Sequence, residues 1–237
     1  MHTFARVLVA FLIGILVSTG HGAETPPVTA SKRQEAAQRR YAEQLVADSN
    51  QALQAMSGLE EAVNMRADLA QAKAVLVFPQ AVRAGFVLGG AGGNGVLLVR
   101  EPVSGQWIGP AFFSLGSASL GLQAGVSAAQ MVIVVRSQKA LDSLYDGKFT
   151  VGADAAATIG AGGNERGANW NADLMVYARA KGAFLGLTVD GSVLQVRNRL
   201  NHAYYGRVVT PIQILVENSV SNPQASPLLG TLNTYPR

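Results

Sequence analysis

Gly90-Ala91-Gly92-Gly93-Asn94-Gly95 fits the pattern G-x-G-x-x-G, the spacing at which glycines let backbone amides approach a dinucleotide pyrophosphate. That chemistry requires a strand before the glycines and a helix after them, because the pyrophosphate rests on the helix's first amides. It also requires a carboxylate about twenty residues further on for the ribose. Here Gly95 runs into Val-Leu-Leu-Val-Arg, a strand pattern, and the first acid is Glu101. The partial echo from Gly160 to Asn164 is followed by Glu165 and lacks the last glycine. No nucleotide is expected. Glycine and asparagine tolerate positive φ, so both copies are expected as turns or bulges between strands.

Other catalytic chemistry has little to build on. The chain has no cysteine, hence no thiolate, disulfide or lipid-modified thiol. Of its 3 histidines, only His21 and His202 lie beyond the first few residues, too few for a zinc cluster. A triad would rest on His202 with a serine that nothing singles out, so His202 reads as structural. Asp142 and Asp146, four apart on an expected helix, read as a solvated face and not a metal site. Trp107 and Trp170 are expected in the core. No catalytic residue, metal or cofactor is expected.

Charge in a pattern is found at Lys32, Arg33, Arg39 and Arg40. They lie in a stretch, Lys32 to Met56, without proline or glycine and rich in Ala, Gln, Glu and Arg, which predicts a helix with Ser31 as its cap. Tyr41, Leu45, Ala52, Met56, Leu59 and Val63 recur at helical spacing and form one apolar stripe. The four cations fall on the other side. Two readings follow: a helix that packs its stripe and shows its basic face to water, or one whose bases also meet lipid phosphates.

The start of the chain reads as a secretory signal peptide over residues 1–23. Arg6 precedes an apolar run, Val7 to Val17, and small residues follow at Ser18, Gly20, Gly22 and Ala23. The run is shorter than the roughly 20 residues a membrane span needs. Loss of Arg6 with this segment lowers the formal net charge from +4 to +3, and no dense basic cluster indicates nucleic acid. Residues 24–30, "ETPPVTA", read as a mobile linker.

Charged residues make up 14% of the chain against 26 glycines, which favours short strands and tight turns over a helical bundle. Leu59 to Ala72 continues as a second helical segment after a bend at Ser57-Gly58. From Lys73 the period changes. "AVLVF" is a buried strand ended by Pro79, and further strands are expected at 85–89, 96–100, 106–108, 117–126, 131–135, 149–159, 168–178, 184–189 and 193–196. Ser104-Gly105 and Asp190-Gly191 are each expected to close a hairpin. Short helices are expected over "QKALDSLY" after the cap Ser137, over "NRLNHAYY" before Gly206, and after Thr210-Pro211 and Ser226-Pro227.

The implied fold is α+β: an N-terminal amphipathic helix or helix pair, then a Gly-rich, mainly antiparallel sheet, a sandwich or partly closed barrel, with short helices at the C-terminus. One domain is expected over 31–237, helical at 31–72, strand-rich at 73–206 and helical again at 207–237.

The ordered motifs "KAVLVFPQAVRAGFVLGGAGGNGVLLVR", "SGQWIGPAFFSLGSASLGLQAGV", "VIVVRSQKALDSLYDGKFTVGADAAATIGAGGN" and "YARAKGAFLGLTVDGSVLQVRNRLNHAYYG" resemble the SYLF lipid-binding domain family from about Lys73 to Gly206. The resemblance implies a non-catalytic domain that binds membrane phospholipid, phosphoinositides in eukaryotic members. It also implies an envelope protein, as bacterial members are. The basic N-terminal segment of eukaryotic members maps onto Lys32, Arg33, Arg39 and Arg40. The matched motifs add Lys73, Arg83 and Lys181 as headgroup contacts. The expected partner is a phospholipid membrane surface met in the periplasm, with neither nucleic acid nor nucleotide. A structural or interaction module of the envelope, with an unidentified protein partner, is the alternative.

Overall fold

A computed structural model describes residues 28–85, 88–120, 125–160, 172–181, 183–185 and 189–236. The expected signal peptide, most of the linker, Trp170 and most of the second glycine motif lie outside them.

Helix α1 (Val28–Ser57) is followed by a 3-10 turn (Glu60–Ala62) and α2 (Val63–Gln71). Strands β1 (Ala74–Gly85), β2 (Leu88–Arg100), β3 (Trp107–Leu120) and β4 (Gly125–Val135) come next, then α3 (Gln138–Tyr145). Short strands β5 (Lys148–Thr150) and β6 (Ala157–Ile159) precede β7 (Leu174–Ala180), β8 (Ala183–Leu185) and β9 (Val193–Val196). Three helices close the order, α4 (Asn198–Tyr205), α5 (Pro211–Leu215) and α6 (Ser226–Asn233).

The strands make one curled sheet, a half-barrel, in the order β5-β9-β3-β2-β1-β4-β7-β6, with β8 paired to β7. Every pairing is antiparallel except the parallel β6–β7 contact. Of the two forms expected, a sandwich or a partly closed barrel, the curled half-barrel is the second.

Both faces of the sheet are buried. Side chains alternate along a strand, so Val75, Val77, Val96, Leu98, Phe112, Val132, Val134, Met175 and Tyr177 face α1, α2, α4 and α6. Leu76, Phe78, Leu97, Phe113, Ile133 and Val176 face α3, α5 and the β5–β6 region. Two covered faces are why the strands read as unbroken apolar runs where a one-sided sheet would alternate. Burial of each large side chain contributes roughly 1.5–3 kcal/mol.

Capping signals placed most of the short helices. Ser137 accepts a hydrogen bond from the Ala140 amide at 3.1 Å, and Gly147, at φ 85°, follows α3. Thr210 and Gln213 form a reciprocal capping box at α5, with Pro211 in its first turn. Gly206 ends α4 at φ 70°. The Ser104-Gly105 hairpin also forms, pairing Arg100 with Trp107.

Several expectations are corrected. Helix α1 already includes Val28, so Ser31 lies inside it and does not cap it, and the helix takes in the end of the segment read as linker. Ser226 does not cap α6 either: a 3-10 turn at Pro223–Ala225, capped by Asn222, leads into that helix. The described residues of segments 85–89 and 117–126 do not form strands of their own but belong to the ends of β1, β2, β3 and β4. The expected strand 149–159 is two short ones, β5 and β6. Asp190-Gly191 does sit in a turn, with the Ser192 amide donating to Val189 O at 2.9 Å. Its flanking strands part company: β9 is taken up by β3 and β5, and β8 by β7.

Pro79 does not end β1. Between Phe78 and Ala81 the strand carries one more residue than β4, and between Val77 and Val82 one more than β2, which is a bulge. Proline has no amide to donate to the ladder, and a bulge is where a strand tolerates that. Gly90 to Gly95 is likewise no turn. It lies within β2, paired on one side with β1 and on the other with β3. A Cβ on Gly93 would sit 2.5 Å from Gln80 O, and one on Gly95 would meet Val77 O and lie 2.5 Å from Phe78 Cδ1. The motif is therefore glycine because β2 runs tightly against the bulged segment of β1.

Candidate functional site

The buried row of α1 is Ala42, Leu45, Val46, Ser49, Ala52, Leu53 and Met56, with Ser57 buried at the helix end. It is broader than the expected stripe, and Tyr41 and Val63 lie outside it, 47% and 45% exposed. Ser49 is tolerated there because its hydroxyl donates to Leu45 O at 2.7 Å. Lys32, Arg33, Arg39 and Arg40 are all exposed. At about 100° per residue they split into two rows. Arg33 and Arg40 continue the line of Gln44, Asp48 and Gln51, within a strip of roughly 80°, whereas Lys32 and Arg39 lie about 90° away. Arg39 pairs with Glu43 at 3.1 Å, an exposed bridge worth about 0.3–0.5 kcal/mol.

The first row leads into a cleft of about 540 Å³ between α1 and the sheet. Its α1 wall carries Tyr41, Gln44, Asp48 and Gln51; the bulge supplies Pro79 and Gln80, and β2 supplies Asn94. Gln130 of β4 with Arg179 and Lys181 at the end of β7 complete it. The Asn94 side-chain amide donates to the Tyr41 hydroxyl at 2.8 Å, and Gln44 donates to Asp48 at 2.7 Å. Arg179 and Gln130 are a cross-strand pair, with Arg179 Nη1 donating to Gln130 Oε1 at 3.4 Å. The Nε of Arg179 is buried and has no hydrogen-bond partner among the described residues. Lys181 is exposed at φ 50°, the left-handed region that a lysine adopts at some cost.

Among the residues expected to contact headgroups, Lys181 is the one that lines this cleft. Lys73 is half-buried just before β1, its backbone tied to Val135 and Arg100. Arg83 is ten residues further along the same strand, which puts the two on the order of 30 Å apart. The structure thus draws Lys181 toward α1 and sets Lys73 and Arg83 at opposite ends of β1. Arg179, Gln44, Gln51, Gln80, Asn94 and Gln130 escaped the sequence reading. They are scattered over five elements, and the only linear signal was the helical spacing of Gln44, Asp48 and Gln51.

The remaining buried polar groups are structural. Arg100 stacks on Trp107, 4.8 Å from the ring centroid, and donates to the carbonyls of Leu69, Ala70 and Tyr235, joining α2, the sheet and the C-terminal segment. The Tyr177 hydroxyl donates to Asp68 at 2.6 Å, and burial together with that carboxylate drives its pKa well up. Gly160 is open enough to admit this ring, since a Cβ there would collide with it. Burial also raises the pKa of Tyr204 and Tyr205, and pushes Tyr145 up to about 12. His202 is exposed on α4 near Glu35 and Arg199. Asp142 accepts from Gln138, and Asp146 is exposed at the end of α3. Among the described residues, no group of three or more His, Cys, Asp or Glu could hold a metal ion, and no helix is long and apolar enough to cross a membrane.

Residues 116–235 match the family model described as Ysc84, Las17-binding protein actin regulator. The match takes in the C-terminal end of β3 and the described elements after it, including Gln130, Arg179 and Lys181, and leaves out α1, α2, β1 and β2. Similar relatives include SH3 domain-containing YSC84-like protein 1 of Rattus norvegicus, 26% identical over 172 residues, 70% of this chain and 50% of that protein. Protein YSC84 of Saccharomyces cerevisiae is 29% identical over 160 residues, 65% of this chain and 34% of its own. LAS seventeen-binding protein 3 of the same species is 28% identical over 160 residues, 65% of this chain and 35% of its own. The chain spans about half the length, or less, of these curated relatives.

Proposed function

Because this chain belongs to the Ysc84, or SYLF-domain, family, we propose that it acts by binding and not by catalysis, docking on anionic or phosphoinositide-like phospholipid headgroups at a membrane surface. The observation that carries the reading is α1. One row of it is buried in the core, and Lys32, Arg33, Arg39 and Arg40 are exposed around the rest. Lys32, Arg33 and Arg40 have no ion-pair partner among the described residues. Each cation near an anionic surface contributes on the order of 1 kcal/mol, reduced by salt. Lys181 adds an exposed cation beside the cleft, and Lys73 and Arg83 take a lesser share of the headgroup contact.

The leader pattern supports export, with the protein peripheral to a membrane in the periplasm of a bacterial envelope. N-terminal sequencing of protein recovered from the envelope fraction checks the export; an N-terminus at Met1 would count against it. Flotation with phosphatidylcholine vesicles, with and without phosphatidylglycerol, checks the docking. Co-flotation with the anionic vesicles alone, lost as salt rises, is expected; equal, salt-insensitive failure on both sinks the reading.

A second reading, a protein-docking module, is favoured by the name of one relative, LAS seventeen-binding protein 3, and by the description of the matching family as Las17-binding. On that reading this chain meets an envelope protein and touches lipid incidentally. Cross-linking on intact envelopes that captures one stoichiometric protein, with no vesicle binding by purified protein, would select it.

A further inference from the structure

The cleft beside α1 has the chemistry of a binding site and not of a packing defect. It is lined mainly by groups that make hydrogen bonds and carries two cations against one carboxylate. Three features set it up for a ligand with an anionic centre and hydroxyl groups. Arg179 lines the cleft with a guanidinium held among the described residues only by the 3.4 Å contact to Gln130, and Lys181 stands at the rim on a left-handed backbone. Opposite them, Gln44, Gln51 and Gln80 present amides, which donate and accept and so suit hydroxyls. The carboxylate, Asp48, already accepts from Gln44, which tempers its repulsion of an anion.

We infer that this cleft binds a phosphodiester bearing a hydroxylated group, the chemistry of a glycerol-type phospholipid head. Arg179 and Lys181 take the phosphate, and the glutamine amides with Asn94 take the hydroxyls. This inference rests on the lipid-docking reading and deepens it: Arg33 and Arg40, on the helical strip that enters the cleft, bring the bilayer surface to its mouth. The glycine motif contributes without touching phosphate through its amides. Gly93 and Gly95 let the bulge approach β2, which sets Gln80 beside Asn94.

A membrane lipid and a soluble phosphodiester share this chemistry, so the test has two arms. Flotation with phosphatidylglycerol-containing vesicles compares the wild type with K181Q, whose exposed side chain is dispensable for folding, with R179Q, and with R207Q as an equal charge change at an exposed site away from the cleft. Nuclear magnetic resonance with soluble glycerophosphoglycerol follows the side-chain amides of Gln44, Gln51, Gln80 and Gln130. Each cleft variant is expected to lose roughly tenfold in vesicle affinity with an unchanged melting curve, and R207Q no more than about twofold. If the wild type floats and the cleft variants behave like R207Q, the cleft inference falls and docking by α1 stands. If the wild type does not float but glycerophosphoglycerol shifts the glutamine amides in it and not in K181Q, the cleft stands with a soluble ligand and the lipid reading falls. Neither response overturns both.

Discussion

Gly95→Ala isolates the steric reason for the glycine motif. In β2 the added methyl would meet Val77 O and the Phe78 ring, with Phe78 Cδ1 at 2.5 Å, and neither neighbour can step aside, because both belong to the bulged strand packed under α1 and α3. Forcing a methyl into such a contact typically costs 1–3 kcal/mol. The loss of chain freedom in the unfolded state returns about 0.4–1 kcal/mol. The net is a destabilisation of about 1–2 kcal/mol, or roughly 2–8 °C in melting temperature for a domain of this size. Gly116→Ala is the matched comparison: it also lies in a strand of the sheet, and a Cβ there meets nothing within 4 Å. Only the entropic gain operates, so its melting temperature should stay level or rise. Thermal melts by circular dichroism, with urea titrations to confirm an unchanged slope, would separate the two variants by about 5 °C. If they melt together, β2 does not need glycine for close approach and the account of the motif is wrong. A nucleotide site makes the opposite forecast, since a bound dinucleotide would raise the wild-type melting temperature by mass action.

Replacing Arg33 and Arg40 together by glutamine should weaken binding to phosphatidylglycerol vesicles about thirtyfold, from about 1 kcal/mol for each charge, and flatten its salt dependence; an unchanged isotherm would exclude this row from the contact. Tyr177→Phe removes the hydrogen bond to Asp68 and should cost about 1–3 kcal/mol in urea unfolding, because a buried carboxylate loses a donor. Tyr145, Tyr177, Tyr204 and Tyr205 all have pKa values raised in the fold, so their contribution is fully present below the ordinary tyrosine pKa of 10.0 and is lost as pH rises through and beyond it. Stability should therefore fall above about pH 10, with phenolate absorbance appearing together with unfolding. In protein carrying Tyr41→Phe and Tyr235→Phe, which leaves only the four raised tyrosines, a phenolate signal that develops while the fold is intact would contradict their burial.

What could be read in the sequence was local. A hydroxyl before a helical run, a proline in the first turn or a glycine past the last one act through atoms a few residues apart. That is why the helices after Ser137 and Thr210, and the end at Gly206, were found where they lie. Where pairing is long-range, the same logic misled. Asp190-Gly191 makes its turn, but β9 is captured by β3 and β5, a competition invisible in the ten residues around the turn. Pro79 reads as a stop only if a strand must stay regular, and the glycines read as a loop only if the neighbouring bulge is unknown. The basic face of α1 was legible because helical periodicity places it. The cleft was not, since Arg179, Gln130, Asn94 and Gln80 meet only once β7, β4, β2 and β1 are side by side.

The double role of α1 has a geometrical consequence. The helix packs on β1, β2 and β4, on α4 and on α6, so its cations are bolted to the body of the domain and are not carried on a tether. A molecule held by Arg33 and Arg40 must therefore adopt a set attitude, with α1 toward the headgroups and the opposite sheet face, under α3 and α5, turned to the aqueous side. Docking would orient the protein like a plate laid on a table, one side always up.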